Sequence, residues 1–299
     1  MAQEEGVSLS ENEAASLAWL IPAAPAVAAT ALRAARLAGG GAEATRLAVE
    51  GLARAVNGGR LPVPEAPAAA FDFAQVNADA DLEALTEHLA RPGAPRAVSL
   101  LLSGPPGSGK SAFVRELAHR VGLPLLQKRA SDLLDKFVGG TEQAIAAAFA
   151  EVREEGAFLV FDEADSLLFD RAEAVRSWEV TQVNEMLTWM EAHPLPFACT
   201  TNLPERLDAA SLRRFLVKLR FDWLRPDQAR HAFAAHFGCE APAELEALAT
   251  LTPADFALVR RRAALAGAES DAAALLGLLR RECEGRAGGR QPIGFGAAG

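Results

Sequence analysis

The chain has 299 residues, half of them hydrophobic, 23% charged, with a net charge of −9 and no tyrosine. That balance suits a globular chain with two or three modest domains, and it gives no electrostatic case for general nucleic-acid binding. Cys199, Cys239 and Cys283 are odd in number and scattered, so neither a disulfide framework nor a metal spacing emerges, as in a reducing cytosol.

The first 57 residues read as a small helical region. Ser10-Glu11-Asn12-Glu13 has the form of a capping box ahead of Leu17 and Leu20. Helices are expected to stop at Gly39-Gly40-Gly41 and at Asn57-Gly58-Gly59. The stretch Leu17 to Leu32 is the most apolar of this region, but Pro22 and Pro25 break it and acidic residues precede it. It therefore reads neither as a membrane span nor as a secretory signal. Residues 58–70 carry Pro62, Pro64 and Pro67 and read as a linker. Phe71-Asp72-Phe73 opens the next region.

From Ala97 to Leu102 runs an apolar stretch expected to be a buried strand. It meets Gly104-Pro105-Pro106-Gly107-Ser108-Gly109-Lys110-Ser111, and a helical pattern with Val114, Leu117 and Val121 on one face follows. Strand, glycine-rich turn and helix N-terminus is the setting of a phosphate-binding P-loop. Glycines let backbone N–H groups curl around an anion, and the helix start adds free donors and partial positive charge. Lys110 supplies a point charge for the β- and γ-phosphates, and Ser111 offers a hydroxyl to Mg²⁺.

A second apolar run, Ala157 to Phe161, ends in Asp162-Glu163-Ala164-Asp165. Carboxylates beyond a buried parallel strand face the crevice where open α/β sheets bind ligands. Asp162, nearest the strand, suits the Mg²⁺ shell, and Glu163 suits polarising a water. The alternative reading is an acid-rich helix start. Downstream, Phe197 to Thr201 is another apolar strand, ending in Asn202. Phe215, Val217, Leu219 and Phe221 alternate with Lys218 and Arg220, as in a sheet-edge strand with a polar outer face. Beyond Leu224 the pattern turns helical. Arg225-Pro226-Asp227 opens a helix that Gly238 stops, Thr252-Pro253-Ala254-Asp255 caps another, and Ser270-Asp271 starts a last one with Leu275, Leu276 and Leu279. The tail from Gly285 is glycine-rich.

Taken together these segments resemble the AAA subfamily of AAA+ P-loop ATPases, the group of the proteasomal ATPases, katanin and the membrane AAA proteases. The resemblance covers about residues 71–285. It implies an α/β fold, a P-loop parallel sheet flanked by helices, with a C-terminal all-α lid of four-helix type and an N-terminal helical region. The expected boundaries are 1–57, a linker over 58–70, the nucleotide-binding domain over 71–225, the lid over 226–285 and a tail over 286–299. The cofactors implied are ATP and Mg²⁺.

The resemblance also assigns residues. Asn202 matches the sensor-1 position, where an amide holds the lytic water. Leu207 to Phe215 resembles the arginine-finger segment, with Arg214 as finger and Arg213 as support or substitute. Many relatives carry a second finger where this chain has Val217. Asn77-Ala78-Asp79 falls where relatives contact adenine, and Ala254 stands where the subfamily has a small residue near the nucleotide. Lys136-Phe137-Val138-Gly139 resembles the pore loop that grips polypeptide in AAA hexamers; the alternative is that Phe137 and Val138 pack inward. The implied partners are further copies of the chain, as a hexamer, and a protein substrate or adaptor, with no nucleic acid and no membrane, in the cytoplasm. A nucleic-acid motor or clamp-loader-like switch, and a slow nucleotide-gated scaffold, stand as alternatives, and the chain could also be a fragment of a larger chaperone.

Overall fold

The computed structural model describes residues 30, 32–36, 42–56, 71–135, 137, 139–171, 174, 176–266 and 271–287. The expected capping box at Ser10, the glycine stops, the 58–70 linker, the tail from residue 288, and Lys136 and Val138 lie outside them. The chain divides into two compact units, residues 1–70 and 71–299. In the first, helix α1 (Ala42–Val56) buries Thr45 and Val49 and exposes Leu47. Among the described residues no helix is long and apolar enough to cross a membrane.

The second unit is built on a six-stranded sheet: β1 (Asn77–Ala78), β2 (Ser99–Ser103), β3 (Leu125–Arg129), β4 (Phe158–Asp162), β5 (Phe197–Thr201) and β6 (Val217–Asp222). The spatial order is β1-β6-β2-β5-β4-β3. All pairings are parallel except the short β1–β6 contact. Strands β2, β4 and β5 are interior and buried along nearly their whole length, because a parallel sheet is covered on both faces.

Period-two alternation sorts their side chains into two layers. Leu101, Leu159, Phe161 and Cys199 pack on one face with Ile145, Phe149 and Val152 of α5 (Gly140–Glu155) and with Val183 and Met186 of α6 (Ser177–Ala192). Leu100, Leu102, Phe158 and Val160 pack on the other, against Phe113, Val114 and Leu117 of α3 (Lys110–Val121) and Leu82 and Leu89 of α2 (Leu82–Ala90). Phe113, Phe149, Phe158 and Phe161 are fully enclosed. Each such side chain contributes about 1.5–3 kcal/mol by leaving water. Cys199 is one of these core groups, and burial pushes its thiol well above the ordinary range.

The α/β class, the parallel sheet and the helical C-terminal region stand as expected. Two details differ. The 217–222 strand lies one position in from the edge, because two-residue β1 pairs with its final residues Phe221 and Asp222. Lys218 and Arg220 are still exposed, because they alternate with buried Leu219 and Phe221 and so point to the opposite face of the sheet. Short helices α4 (Ala130–Leu133) and α7 (Ala209–Leu212) precede the last strand. Among the described residues three helices come after it, α8 (Pro226–Phe237), α9 (Pro253–Ala266) and α10 (Ala272–Ala287), with a 3-10 turn over Ala243–Ala247, where a lid of four-helix type was expected. Phe233, Leu245, Leu251, Phe256, Val259, Leu275 and Leu279 form a core of their own there.

Candidate functional site

The turn after β2 is glycine-rich because nothing else fits. A Cβ on Gly104, at φ 136°, would lie 2.2 Å from the carbonyl oxygen of Phe221, and one on Gly107, at φ 80°, would lie 2.9 Å from Cβ of Ala254. The second distance also shows how closely the C-terminal helical region approaches the loop. Ala254 donates its N–H to the carbonyl of Gly107 at 3.3 Å. Thr252 donates from N and Oγ1 to Oδ2 of Asp255, closing the cap of α9. Arg286 of α10 pairs with the same buried carboxylate, and its guanidinium lies over the ring of Trp223. On the other flank, Val76 packs 3.2 Å from where a Cβ of Gly109 would be. Helix α3 starts at Lys110 with Gly109 in the left-handed region and no side-chain cap, so its first N–H groups face the loop.

Lys110 is only 7% exposed, and its ammonium donates to the carbonyls of Gly104 (2.7 Å) and Pro105 (2.9 Å) and to Oδ1 of Asn202 (2.8 Å). Three donors meet three acceptors. Burial still lowers its pKa from 10.5 to about 8, although Asp162 and Asp165 pull the other way. Asn202 reaches Lys110 because β5 pairs with β2 in register, and Gly104 donates its N–H to the carbonyl of Thr201.

The carboxylates arrive from β4 on the far side of β5. Ser111 Oγ donates to Asp162 Oδ1 at 2.9 Å, Thr200 Oγ1 donates to the same oxygen at 2.9 Å, and Gln127 donates to Oδ2. The Glu163 N–H donates to Thr200 Oγ1 at 3.2 Å. Glu163 is the one non-glycine residue with positive φ among the described residues, at 57°. That bend costs about 1–2 kcal/mol and sends the chain out of the strand so that the Glu163 side chain is exposed while Asp162 faces inward. Thr201 Oγ1 donates to Asp165 and accepts from the Leu203 N–H at 2.9 Å.

The loop glycines, Lys110, Ser111, Asp162, Glu163 and Asn202 therefore converge at the C-terminal ends of β2, β4 and β5. Thr200, Gln127 and Val76 were missed. Thr200 had a signal, since it stands two residues before Asn202 and shares its strand face. Gln127 had none in its own segment. Ser111 Oγ and Asp162 Oδ1, adjacent hard oxygens beside the lysine, are a donor pair suited to Mg²⁺. Asn77 and Asp79 are engaged with the β6 side instead, Asn77 Nδ2 donating to the Trp223 carbonyl and Asp79 Oδ1 accepting from the Arg220 N–H. A cavity of about 510 Å³ lined by Phe73, Val76, Asp81, Arg225, Gln228 and His231 includes no loop residue and is distinct from the phosphate site.

Two groups of expected site residues are not brought to this point. Arg213 is exposed, and Arg214 lies at the opposite end of the sheet. The Arg214 carbonyl accepts from Ser99 Oγ at the first residue of β2, while the P-loop begins after the last. Five residues of strand separate those ends by roughly 13 Å. The Arg214 side chain donates to the Ala210 carbonyl at 3.0 Å and lies 2.8 Å from Glu191, an ion pair in distance without hydrogen-bond alignment. Phe137 is 68% exposed at the tip of a turn, not packed inward. Asp135 shapes that turn, accepting from the Phe137 N–H while its own N–H donates to Thr141 Oγ1, and Gly139 supplies φ 90°.

Comparison with known proteins agrees with this arrangement. The family described as "ATPase family associated with various cellular activities (AAA)" matches residues 100–223. Spastin of Ixodes scapularis is 38% identical over 128 residues, 40% of this chain and 20% of that protein. Spastin of Drosophila melanogaster is 35% identical over 131 residues, 41% of this chain and 17% of that protein. Protein mac-1 of Caenorhabditis elegans is 32% identical over 123 residues, 40% of this chain and 15% of that protein. The chain thus matches a fifth or less of the length of these relatives, and the family match spans the loop, the carboxylates, Asn202 and the arginine pair. With the sheet order and the loop geometry, this match means that the chain carries an AAA-family P-loop ATPase domain over residues 100–223.

Proposed function

We propose that the chain is a Mg²⁺-dependent ATPase that works in a ring, most simply a cytoplasmic hexamer, and remodels or threads a protein substrate. Residues 71–225 would hold the nucleotide, 226–285 would form the lid, and 1–57, joined by 58–70, would meet a substrate, an adaptor or the ATPase body. The loop N–H groups and Lys110 would exchange their present carbonyl partners for the β- and γ-phosphates, freeing Asn202 for the lytic water. Ser111 and Asp162 would hold the Mg²⁺, which when bound offsets phosphate charge. Glu163 would take a proton from the water as its oxygen attacks the γ-phosphorus in line and the bond to the ADP oxygen breaks. Thr200 fixes both acids: it holds Asp162 inward and the Glu163 N–H in place, so the two carboxylates keep separate tasks.

The observation that carries the ring is the placement of Arg214. It stands at the far end of β2 from its own P-loop, beyond the reach of an arginine side chain, on the same subunit surface as exposed Arg213 and Leu216. An arginine there serves a neighbour's phosphates, in trans. The exposed Phe137 turn supports the remodelling half, because an aromatic on a glycine-flanked tip grips chain without reading sequence.

The test is a mixing experiment. Arg214→Ala subunits keep a complete pocket and lack the finger, losing roughly 10³-fold in turnover. Glu163→Gln subunits keep the finger and lack the base. Neither alone hydrolyses ATP appreciably, but mixed rings regain activity. Absence of recovery in rings shown to contain both subunits would overturn the trans assignment.

A further inference from the structure

We propose that Ser99 is a positioning residue for the arginine finger, fixing the main chain on both sides of it to the strand that ends in the P-loop. The proposal rests on the trans role of Arg214 given above.

Ser99 opens β2 and is buried, at 6% exposed. Its Oγ donates to the carbonyl of Arg214 at 2.8 Å and accepts from the N–H of Leu216 at 3.0 Å. One hydroxyl thus spans the peptide groups flanking Phe215, and Phe215 itself is buried in the core beneath. Parallel pairing of β2 with β6 begins one residue later, at Leu100 opposite Val217. Without the Ser99 hydroxyl the segment 213–216 would keep no hydrogen bond to β2, since ladder bonds start after it, and only the packing of Phe215 would hold it. The Arg214 side chain adds little fixation of its own. Its contacts are the Ala210 carbonyl of the preceding turn and a Glu191 carboxylate that is largely in solvent.

A buried hydroxyl with both partners on main chain is what holds a loop at one register. Removing it leaves the Arg214 carbonyl and the Leu216 N–H unpaired at the base of the finger. Rate falls steeply when a catalytic group shifts by an ångström, about 10²-fold in the extreme. The chain therefore links its two ends physically. The strand whose C-terminus holds this subunit's nucleotide has its N-terminus bonded to the arginine offered to the next subunit.

The test separates finger from pocket within mixed rings. In the reference mixture, Arg214→Ala supplies pockets and Glu163→Gln supplies fingers. In the finger arm, Ser99→Ala/Glu163→Gln replaces Glu163→Gln, so every finger comes from a subunit without the hydroxyl. In the pocket arm, Ser99→Ala/Arg214→Ala replaces Arg214→Ala. The expected result is about a tenfold loss of kcat in the finger arm with KM for ATP unchanged, recovery in the pocket arm equal to the reference, and rescue of the finger arm by Ser99→Thr, which keeps the hydroxyl. Equal losses in both arms would make Ser99 a general support of the sheet and overturn the proposal. No loss in either arm would overturn it as well. Failure of the reference mixture, which contains no Ser99 variant, would instead overturn the trans assignment and take this proposal with it.

Discussion

Lys110 and Arg214 are the two cations proposed to meet one γ-phosphate, and the fold treats them in opposite ways. Lys110 is enclosed, with all three donors committed to its own loop and to Asn202, and burial draws its pKa down to about 8. Arg214 is more exposed, held by a backbone carbonyl and a poorly aligned surface carboxylate. The lysine belongs to a half-site that is electrostatically complete before anything binds. The arginine, on the proposed trans reading, belongs to a surface that a second copy completes. A group destined for its own subunit's ligand can be stored inside, whereas a group destined for a neighbour has to be carried outside on a fixed backbone.

The largest break in that contrast is Lys110→Ala. It should abolish nucleotide binding and hydrolysis together, as read by fluorescent-nucleotide titration and phosphate release, because it empties the centre of the self-contained half. A variant that still binds ATP like the parent would mean that the loop amides suffice and that the stored charge is dispensable.

A smaller effect follows from the depressed pKa. In the empty protein Lys110 is neutral above about pH 8, whereas an unfolded chain keeps that proton to about 10.5. The unfolded state then binds more protons between those values, so the empty protein gains stability as pH rises from about 8 to 10.5, and the cost of burying the charge is fully present below 8. Phosphates placed beside Lys110 raise its pKa again. ADP binding near pH 8.5 should therefore take up a proton, and affinity should weaken as pH climbs past 8. Calorimetry in two buffers of different ionisation heat measures this directly, and proton release would contradict it.

Phe137→Ala should have the smallest effect on basal turnover, within a few-fold of the parent, since its turn touches neither cation. Work on a protein substrate should be lost. Retained remodelling would return Phe137 to a role in its own turn.

The pocket half was legible in sequence because its residues come in contiguous motifs. Gly104 to Ser111, Asp162-Glu163 and Asn202 each follow an apolar strand, and strand ends are where a parallel sheet gathers chemistry. What escaped were partners made by strand register. Gln127 meets Asp162 only because β3 lies beside β4, and Ser99 meets Arg214 only because β6 returns to the outer side of β2. Nothing local to either residue encodes that neighbour. The edge assignment of 217–222 failed for the same reason, since two residues of β1 suffice to cover its end and are too few to announce themselves.

The left-handed backbone at Glu163 sets folding and turnover against each other. Glycine would adopt φ 57° without strain, so Glu163→Gly should relax the turn after β4 even as it removes the proposed base. Any search of variants that rewards only heat resistance or soluble yield would be drawn toward an inert protein at this position. On the proposed reading, the exposed acid at this turn is the point where backbone strain and the catalytic base coincide, so gains in one property come at the expense of the other.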